Sequence, residues 1–356
     1  MTPKFHSLRV AQIRQECQDA VSICFDIPKS IESDFEFNPG QHLTLKATVG
    51  GEELRRSYSI CSGKGEGEVR VAIKKVNGGK FSTWANAELK VGDQIEVMTP
   101  EGKFGVPISK ENNKNYVAFA AGSGITPILS MIKTVLATEP NSHFSLFYGN
   151  RRQSTAMFQE TLEDLKNRYL TRLSLFNLYS AEEQETPIFN GRLDQEKIAT
   201  FVKNLIPVDQ IDEAFICGPG EMIDDVEKAL LKAGLNGHSI HLERFGVANG
   251  QAQTNVAAPG DAAQARIVVI QDGLKREMDF KVGDPSILDV AIKNGMDLPY
   301  SCKGGVCCTC RAKVLEGEVR MDRNFSLEPE DVAAGYVLTC QSHPLTEKVV
   351  VSFDDR

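Results

Sequence analysis

Residues 302–310 read Cys-Lys-Gly-Gly-Val-Cys-Cys-Thr-Cys, and this stretch decides how the C-terminal part of the chain must fold. Three of its cysteines follow a C-x4-C-x2-C spacing, and a fourth stands further along in the same region. Three sulfurs converge only if the loop wraps around a central group, and Gly304 and Gly305 permit the positive φ angles of such a wrap. The spacing is typical of a [2Fe–2S] cluster. The predicted ligands are Cys302, Cys307, Cys310 and Cys340.

Two other uses of these cysteines fit the sequence less well. A structural zinc site usually combines two short pairs of ligands, whereas Cys340 stands alone. A disulfide framework suits small secreted domains, and this chain is long and shows no export signal. Cys308 is a fifth cysteine in the region. We interpret it as a small buried residue, although the sequence leaves open that it replaces a neighbour as a ligand.

The composition is that of an ordinary globular protein of two or three domains, with 356 residues, 41% hydrophobic and 25% charged. The net charge of −8 argues against a nucleic-acid partner. Nine cysteines, an odd number, cannot all form disulfides. The N-terminus has no apolar signal-peptide core, and no run of 18 apolar residues indicates a membrane span. We therefore expect a cytoplasmic protein with reduced thiols and no membrane partner.

Residues 1–110 are predicted to form an antiparallel β-barrel, because short apolar or alternating stretches are separated by glycine-rich turns. The predicted strands are 21–27, 41–49, 53–60, 69–76 and 94–98, with one helix over 81–89.

Two stretches of this region have side chains suited to a flavin. In Arg56-Ser-Tyr58-Ser59, arginine can bind a pyrophosphate, tyrosine can pack on a flat ring and serine can hydrogen-bond a ring nitrogen. The turn 78–82, Gly-Gly-Lys-Phe-Ser, can hold phosphate on backbone amides where a helix begins. Taken alone, Arg56 fits a solvated strand residue and Tyr58 a core aromatic better than they fit flavin contacts, so the ordering of the two stretches carries the prediction.

Residues 111–245 alternate strands with helices, which predicts a doubly wound α/β domain with a parallel sheet. The glycine turn 122–127, Gly-Ser-Gly-Ile-Thr-Pro, follows a buried strand and precedes a helix. The stretch 217–222, Cys-Gly-Pro-Gly-Glu-Met, repeats this arrangement after a later strand. Ligands of such sheets bind at the carboxyl ends of the strands, so the two turns are predicted to flank one dinucleotide. Cys217 is either a small core residue or a neighbour of the nicotinamide.

A basic loop follows the predicted strand 144–148, and it contains Arg151, Arg152 and Ser154. Arginine and serine at this place can bind a ribose 2′-phosphate, which favours NADPH over NADH. The alternative is a solvated basic loop without a ligand.

Residues 246–265 are rich in Ala, Gly, Gln and Asn and are predicted to be a flexible linker, although a linker packed in one pose is also possible. A coil of this length spans roughly 25 Å. Residues 266–356 are predicted to form a small cluster-binding domain. A hairpin (266–271 and 276–282) and a helix (286–294) precede the cysteines, and strands 311–315 and 348–353 follow. Acidic residues here are either a docking face or a solvated surface.

Together these motifs resemble the ferredoxin–NADP reductase superfamily, with a C-terminal plant-type ferredoxin domain of the β-grasp fold. The chain is further similar to reductase components of multicomponent oxygenases. This second resemblance is found at Tyr-Gly-Asn-Arg (148–151), His-Leu-Glu-Arg-Phe (241–245), Leu-Pro-Tyr-Ser-Cys-Lys-Gly-Gly-Val-Cys (298–307) and Leu-Glu-Pro-Glu-Asp-Val-Ala-Ala-Gly-Tyr-Val-Leu-Thr-Cys (327–340). It covers essentially the whole chain.

The resemblance implies roles for individual residues. Ser59, Thr126 and Cys217 would lie where hydride is transferred. The residues implied for the flavin are Arg56, Tyr58, Ser59, Ile73, Gly79, Lys80 and Ser82, with Phe245 on the other face of its ring. Those implied for the dinucleotide are Gly122, Gly124, Thr126, Arg151, Arg152, Cys217, Gly218, Pro219 and Met222.

The resemblance also implies an activity, in which electrons pass from NADPH through FAD and the [2Fe–2S] cluster to an oxygenase component. NADH in place of NADPH, FMN in place of FAD, and either a Rieske or a di-iron oxygenase as the acceptor remain open. A carrier or sensor module without turnover is the alternative from another functional class.

Overall fold

The structure is a computed structural model that describes residues 4–245, 258 and 260–355, so most of the predicted linker lies outside the described residues. The chain divides into two compact units. One consists of Met1–Phe5, Arg55–Ser57 and Gly246–Arg356, and the other of His6–Leu54 and Tyr58–Phe245.

The first part of the chain forms a six-stranded sheet with the order β4-β3-β6-β1-β2-β5. Its strands are β1 (Phe5–Cys17), β2 (Ala20–Asp26), β3 (His42–Val49), β4 (Glu52–Ser59), β5 (Val69–Lys74) and β6 (Gln94–Met98). Helix α1 (Lys80–Ala87) follows β5. The sheet is antiparallel and barrel-like, which confirms the predicted fold of this region. Inward residues such as Val10, Ile23 and Leu43 are fully buried in its core.

The second sheet has five parallel strands in the order β11-β10-β7-β8-β9. Its elements are β7 (Asn115–Ala121), α2 (Ile125–Thr138), β8 (His143–Asn150), α3 (Gln159–Arg168), β9 (Leu173–Tyr179), α4 (Gln195–Asn204), β10 (Glu213–Cys217), α5 (Gly220–Ala233) and β11 (Ile240–Glu243). Two separate apolar cores cover its two faces, one with side chains of α2 and α3 and the other with side chains of α4 and α5. This confirms the predicted doubly wound α/β fold.

The order of this sheet explains where a ligand binds. The chain runs from β7 outward to β8 and β9 and then crosses back to β10 on the other side of β7. The carboxyl ends of β7 and β10 therefore border the point where the winding changes direction, which is where open α/β sheets bind ligands.

Helix α2 starts earlier than its proline suggests. Pro127 is the third residue of the helix, whose first residue is Ile125. A proline in the first turn is tolerated because its missing N–H would have no intrahelical partner there. In the described part of the chain, no helix is long and apolar enough to cross a membrane.

The C-terminal region forms a mixed five-stranded sheet with the order β13-β12-β18-β14-β16 and a small two-stranded sheet of β15 and β17. Its elements are β12 (Gln264–Gln271), β13 (Leu274–Lys281), α6 (Ile287–Lys293), β14 (Arg311–Glu316), β15 (Val319–Met321), α7 (Pro329–Ala333), β16 (Tyr336–Leu338), β17 (Ser342–Pro344) and β18 (Lys348–Ser352). The hairpin β12–β13 is antiparallel, whereas β12 and β18 are parallel. This is the predicted β-grasp arrangement.

Candidate functional sites

The cluster loop, residues 302–310, has the wrapped backbone that its spacing predicts. Gly305 has a φ of +80°, and Lys303 and Cys308 also adopt positive φ angles of 49° and 55°. Gly304 does not adopt a positive φ angle. Instead, the Gly304 backbone N–H donates a hydrogen bond to the Cys302 sulfur at 3.3 Å. An amide in this position stabilises a negatively charged sulfur.

The four predicted ligands form two pairs of thiols. Cys302 interacts by a hydrogen bond with Cys307, and Cys310 does so with Cys340. The hydrogen bond with Cys307 lowers the pKa of Cys302 to about 6, and the same bond raises the pKa of Cys307. Among the described side chains, no three His, Cys, Asp or Glu groups converge as ligands of a single metal ion would. Four thiols in two pairs are the donor set that a two-iron cluster requires, so these residues fit the cluster.

Cys308 makes a contact outside these two pairs. Its sulfur donates a hydrogen bond to the Ser326 carbonyl oxygen at 3.2 Å. This contact supports its interpretation as a residue that is not a ligand. The side chain is only partly buried, so the expectation of a buried residue was wrong. None of the nine cysteines, which all lie within the described ranges, forms a disulfide.

Arg55, which belongs to the same compact unit as the cluster loop, binds the segment just before Cys302. Arg55 donates hydrogen bonds to the Asp297 carboxylate at 2.8 Å and to the Leu298 carbonyl oxygen at 3.3 Å. Its guanidinium carbon lies 4.4 Å from the centroid of the Tyr300 ring. Sequence reasoning missed Arg55, because an arginine in a strand gives no signal of a partner more than 200 residues away.

The two glycine turns of the parallel sheet lie against each other. A Cβ atom on Gly124 would lie only 2.1 Å from the Cys217 carbonyl oxygen and 3.0 Å from the Gly218 nitrogen. Gly122 has a φ of +55°, and its carbonyl oxygen accepts a hydrogen bond from the Tyr148 hydroxyl at 3.0 Å. The turns therefore form a cradle of bare backbone at the switch point of the sheet, and such a cradle fits a dinucleotide.

Three side chains meet beside this cradle, and we call them the Ser59–Cys217–Glu243 cluster. Cys217 and Glu243 are register partners on neighbouring strands β10 and β11. The Ser59 hydroxyl, at the end of β4, donates a hydrogen bond to the Glu243 carboxylate at 3.2 Å. The cluster thus joins a residue predicted for the flavin to one predicted for the nicotinamide.

Glu243 and Cys217 both favour their neutral forms. Burial raises the pKa of Glu243 to about 8, against the opposing effect of the hydrogen bond from Ser59. Burial, and then the nearby Glu243 carboxylate, raises the pKa of Cys217 well above its usual range. Sequence reasoning missed Glu243. The signal lay in His-Leu-Glu-Arg-Phe (241–245), a stretch that contributed to the resemblance but yielded a role only for Phe245.

Other residues predicted for this region have varied environments. Thr126 is buried, and its hydroxyl donates to the Ser123 carbonyl oxygen at 3.0 Å. Phe245 is 44% exposed, which leaves its ring free to cover a ligand. Pro219 precedes α5, and Met222 packs on the Gly218 backbone.

The turn predicted to bind the flavin pyrophosphate is tightly closed. The Ser82 hydroxyl accepts a hydrogen bond from the Val76 N–H at 3.0 Å and donates to the Gly79 carbonyl oxygen at 3.2 Å. A Cβ on Gly79 would lie 2.7 Å from the Ser82 hydroxyl oxygen, so glycine is needed for this close approach. Lys80 forms an exposed ion pair with Glu52 at 2.6 Å.

The remaining residues implied for the flavin differ in how accessible they are. Arg56 is exposed, and its guanidinium donates to the Arg55 carbonyl oxygen at 2.7 Å. The Tyr58 ring packs 5.8 Å from the Phe81 ring, centroid to centroid. The Ile73 side chain is fully buried in the barrel core, so any contact of this residue with a cofactor would have to involve its backbone.

The basic loop lies at the carboxyl end of β8. Arg151, Arg152 and Ser154 are exposed there, as binding to a nucleotide phosphate would require. The loop that follows β9 runs alongside, because the Ala181 N–H donates to the Arg151 carbonyl oxygen at 2.8 Å.

Comparisons with known families match each part of the chain. Residues 7–105 match the family model described as "Oxidoreductase FAD-binding domain" and residues 119–228 the one described as "Oxidoreductase NAD-binding domain". Residues 269–345 match the "2Fe-2S iron-sulfur cluster binding domain". The three matches follow the order of the three folds.

Comparisons with whole proteins cover almost the entire chain. It is 49% identical to one component of the 1,2-phenylacetyl-CoA epoxidase of Escherichia coli (strain K12), over 98% of each chain. It is 31% identical to "3-ketosteroid-9-alpha-monooxygenase, ferredoxin reductase component" of Rhodococcus rhodochrous, over 97% of this chain and 96% of that protein. Among solved structures, phthalate dioxygenase reductase covers 98% of both chains with a TM-score of 0.61 at 22% identity, which shows a shared fold.

Proposed function

Since this chain belongs to the family of reductase components of multicomponent oxygenases that combine FAD-, NAD(P)- and [2Fe–2S]-binding domains, we propose that NADPH is its electron donor and an epoxidase of phenylacetyl-CoA its acceptor. The general activity, transfer of electrons from a pyridine nucleotide to an oxygenase component, follows from the family. The choice of donor, acceptor and site residues is what we add.

The Ser59–Cys217–Glu243 cluster is the observation that supports the proposed place of hydride transfer. The Ser59–Glu243 hydrogen bond and the Cys217–Glu243 strand register place these groups beside the cradle at Gly124. A residue of the flavin barrel and a residue of the nucleotide sheet thus border the same small volume. This is the arrangement that contact between a flavin and a nicotinamide requires, because hydride transfer needs close approach of the two reacting atoms.

When bound, the cofactors would supply the chemistry: a hydride passes from nicotinamide to flavin, and single electrons pass on to the cluster. The protein binds and orients them. Ser59 offers a hydroxyl that can exchange its Glu243 partner for a ring nitrogen, and the neutral carboxyl of Glu243 can both donate and accept. Thr126 holds the glycine turn by its bond to the Ser123 carbonyl oxygen.

We propose the four paired cysteines as the ligands of the [2Fe–2S] cluster. The proposed binding of the nucleotide phosphates rests on the glycine turns and the basic loop. Arg151 and Arg152 are exposed cations at the strand end where a ribose 2′-phosphate would lie. Two exposed arginines support NADPH as the preferred donor.

An anaerobic titration with NADPH and, separately, with NADH tests the choice of donor. We expect NADPH to bleach the flavin and cluster absorption bands at lower concentration than NADH. Equal titration curves, or stronger reduction by NADH, would contradict the preference while leaving the reductase activity intact. Extraction and chromatography of the flavin distinguishes FAD from FMN in the same sample.

The proposed acceptor rests on the similarity to the Escherichia coli epoxidase component over nearly the whole chain. The test mixes the purified chain with the remaining components of that epoxidase, NADPH and phenylacetyl-CoA. We expect NADPH-dependent product formation, and much less activity with the oxygenase component of the 3-ketosteroid monooxygenase. Product formation only in the second mixture would reject the proposed acceptor.

We also propose the domain boundaries 1–110, 111–245 and 266–356, with a linker over 246–265. The three family matches, at 7–105, 119–228 and 269–345, lie inside these boundaries. Strand β12 begins at Gln264, within the last two residues of the proposed linker. A cytoplasmic location is proposed on the same footing, since nine free thiols suit a reducing compartment.

A further inference from the structure

We propose that Glu182 limits the preference for NADPH. Its carboxylate accepts the Gln153 N–H of the loop where a ribose 2′-phosphate would bind, and so it occupies a donor that the phosphate could use. This inference rests on the proposed function, in which Arg151 and Arg152 face that phosphate. It adds Glu182, whose charge is opposite to that of the two arginines, as a second determinant of nucleotide specificity in this region.

The position of Glu182 follows from hydrogen bonds between two loops. The loops after β8 and β9 run side by side, with the Ser180 N–H bonded to the Asn150 carbonyl oxygen at 3.0 Å and the Ala181 N–H bonded to the Arg151 carbonyl oxygen at 2.8 Å. The next residue, Glu182, turns its carboxylate onto the Gln153 N–H at 2.9 Å. Its carboxylate therefore lies at the backbone of Gln153, the residue that directly follows Arg151 and Arg152.

The Gln153 N–H, which could donate to a bound anion, already has a hydrogen-bond acceptor in the protein. A backbone N–H that follows two arginines is a natural partner for a phosphate oxygen. Here the Glu182 carboxylate takes that N–H, so a 2′-phosphate must either replace the carboxylate or accept a negative charge next to it. Both possibilities weaken binding of NADPH and leave NADH, which has a ribose hydroxyl in that place, almost unaffected.

A polar group near the same strand end also lacks a protein partner. The side-chain nitrogen of Asn150, the last residue of β8, is buried and lies near the Tyr148 hydroxyl, but it makes no hydrogen bond of good geometry within the described residues. The Tyr148 hydroxyl on the same strand is already engaged, since it donates to the Gly122 carbonyl oxygen and accepts the Met157 N–H. A donor such as Asn150 is expected where a ligand completes the hydrogen bonding, since buried donors without partners are costly. The strand end therefore combines donors suited to a nucleotide with one carboxylate that opposes a phosphate.

The variant Glu182→Gln separates charge from structure, because the amide oxygen of glutamine can still accept the Gln153 N–H. We expect kcat/KM for NADPH to rise about fivefold, mainly through a lower KM, since removal of one nearby like charge has effects of this order. We expect kcat/KM for NADH to change less than twofold. The gain should shrink at high salt, because the loop is exposed.

The matched control is Glu183→Gln, which removes the same charge from the neighbouring residue. It should change the ratio of the two kcat/KM values less than twofold. Binding of 2′-AMP and of 5′-AMP to the flavin-loaded protein gives a readout without turnover. Only 2′-AMP should bind more tightly to the Glu182→Gln variant.

Several results would overturn the inference. The NADPH-to-NADH ratio of Glu182→Gln could stay within twofold of the original chain, or both nucleotides could lose affinity equally, which would show that Glu182 only supports the loop. A change of the same size in Glu183→Gln would show a general charge effect. If neither nucleotide reduced the original chain, the proposed function would fail as well, so the two failures are distinguishable.

Discussion

The cluster loop and the Ser59–Cys217–Glu243 cluster bring reactive side chains together in different ways. Three of the four paired cysteines stand within nine consecutive residues, and the loop backbone itself supplies an amide to Cys302. The second group combines Ser59 at the end of β4, Cys217 at the end of β10 and Glu243 at the end of β11. One site is built mainly by a single loop, with Cys340 added from outside it, and the other by the packing of two sheets.

This difference decides what each site depends on. The cluster loop depends on positive φ angles and sulfur spacing within a short segment, so a change of one ligand should act locally. The Ser59–Cys217–Glu243 cluster depends on the close approach of turns that are far apart in sequence, so a distant steric change should disturb it.

The largest effect is expected from Cys307→Ser in the cluster loop. Loss of one of four thiolates should abolish the [2Fe–2S] centre, because a hydroxyl is a poor ligand for this cluster. Iron and acid-labile sulfide per chain should fall to near zero, while the flavin content is retained.

Cys308→Ser is the matched control, since it makes the same change at the next residue. The Cys308 sulfur is bonded to the Ser326 carbonyl oxygen, and a serine hydroxyl can replace that donor. Its iron and sulfide content should equal that of the original chain. Retention of the cluster in Cys307→Ser together with its loss in Cys308→Ser would reverse the ligand assignment.

Gly124→Ala should have the next largest effect, and it acts on the other site. The added Cβ would lie 2.1 Å from the Cys217 carbonyl oxygen, and backbone atoms at that distance must move apart. We expect a loss of about 3 kcal/mol in unfolding free energy, at the upper end for an overpacked site. Flavin reduction by NADPH should also slow strongly, as measured by stopped-flow absorbance.

The control for this prediction is Gly234→Ala at the end of α5. Gly234 has a φ of +100°, but a Cβ added there would have no atom within 4 Å, so alanine meets only backbone strain. That strain costs about 1–2 kcal/mol. Equal destabilisation with equal loss of flavin reduction in both variants would show that contact with Cys217 is not the cause.

A smaller, pH-dependent effect is expected for Glu243→Gln. Burial raises the pKa of Glu243 to about 8 from its ordinary value of 4.5, so between these values the folded chain keeps a proton that the unfolded chain has released. The stability contributed by this group is therefore present below about pH 4.5 and lost as the pH rises through 8. Glutamine does not titrate, so the variant should become more stable relative to the original chain as the pH rises.

Thermal unfolding of the chain without bound nucleotide, at pH 6 and at pH 9, measures this effect. The midpoint difference between Glu243→Gln and the original chain should grow by roughly 5–10 °C, which corresponds to about 2.7 kcal/mol, because the stability changes by about 1.36 kcal/mol for each pH unit between 6 and 8. Glu183→Gln, a substitution far from this cluster in sequence, should show no such growth. A constant difference across pH would mean that Glu243 is ionised throughout.

The contrast between the sites also explains how far the sequence could be interpreted. The cluster loop and both glycine turns were recognised because their information is local. Glu243 was missed, since its role comes from the Cys217 register and the Ser59 hydroxyl, neither of which a sequence pattern shows. Glu182 was missed for the same reason, because it acts on a loop that precedes it by almost thirty residues.

Five strands were missed, namely β1, β11 and the three-residue strands β15, β16 and β17. The first two were missed for different physical reasons. Strand β1 (Phe5–Cys17) is the longest, but register shifts between Val10 and Gln12 and between Gln15 and Cys17 interrupt its alternation. Strand β11 has only four residues, all partly buried, so its pattern resembles neither a core strand nor an alternating one. The fold class survived these omissions because the remaining strands and helices kept their order.

The smallest effect concerns the backbone of the cluster loop. Cys308 has a φ of +55°, which costs a residue with a side chain about 1–2 kcal/mol, and its sulfur makes a hydrogen bond worth about 1 kcal/mol. Cys308→Ala loses the bond and keeps the strain, whereas Cys308→Gly loses the bond and relieves the strain. The glycine variant should therefore be about 1 kcal/mol more stable than the alanine variant, as measured by denaturant unfolding with the cluster bound. An alanine variant at least as stable as the glycine variant would show that the strain is absorbed elsewhere, and the loop would then be less local than its sequence suggests.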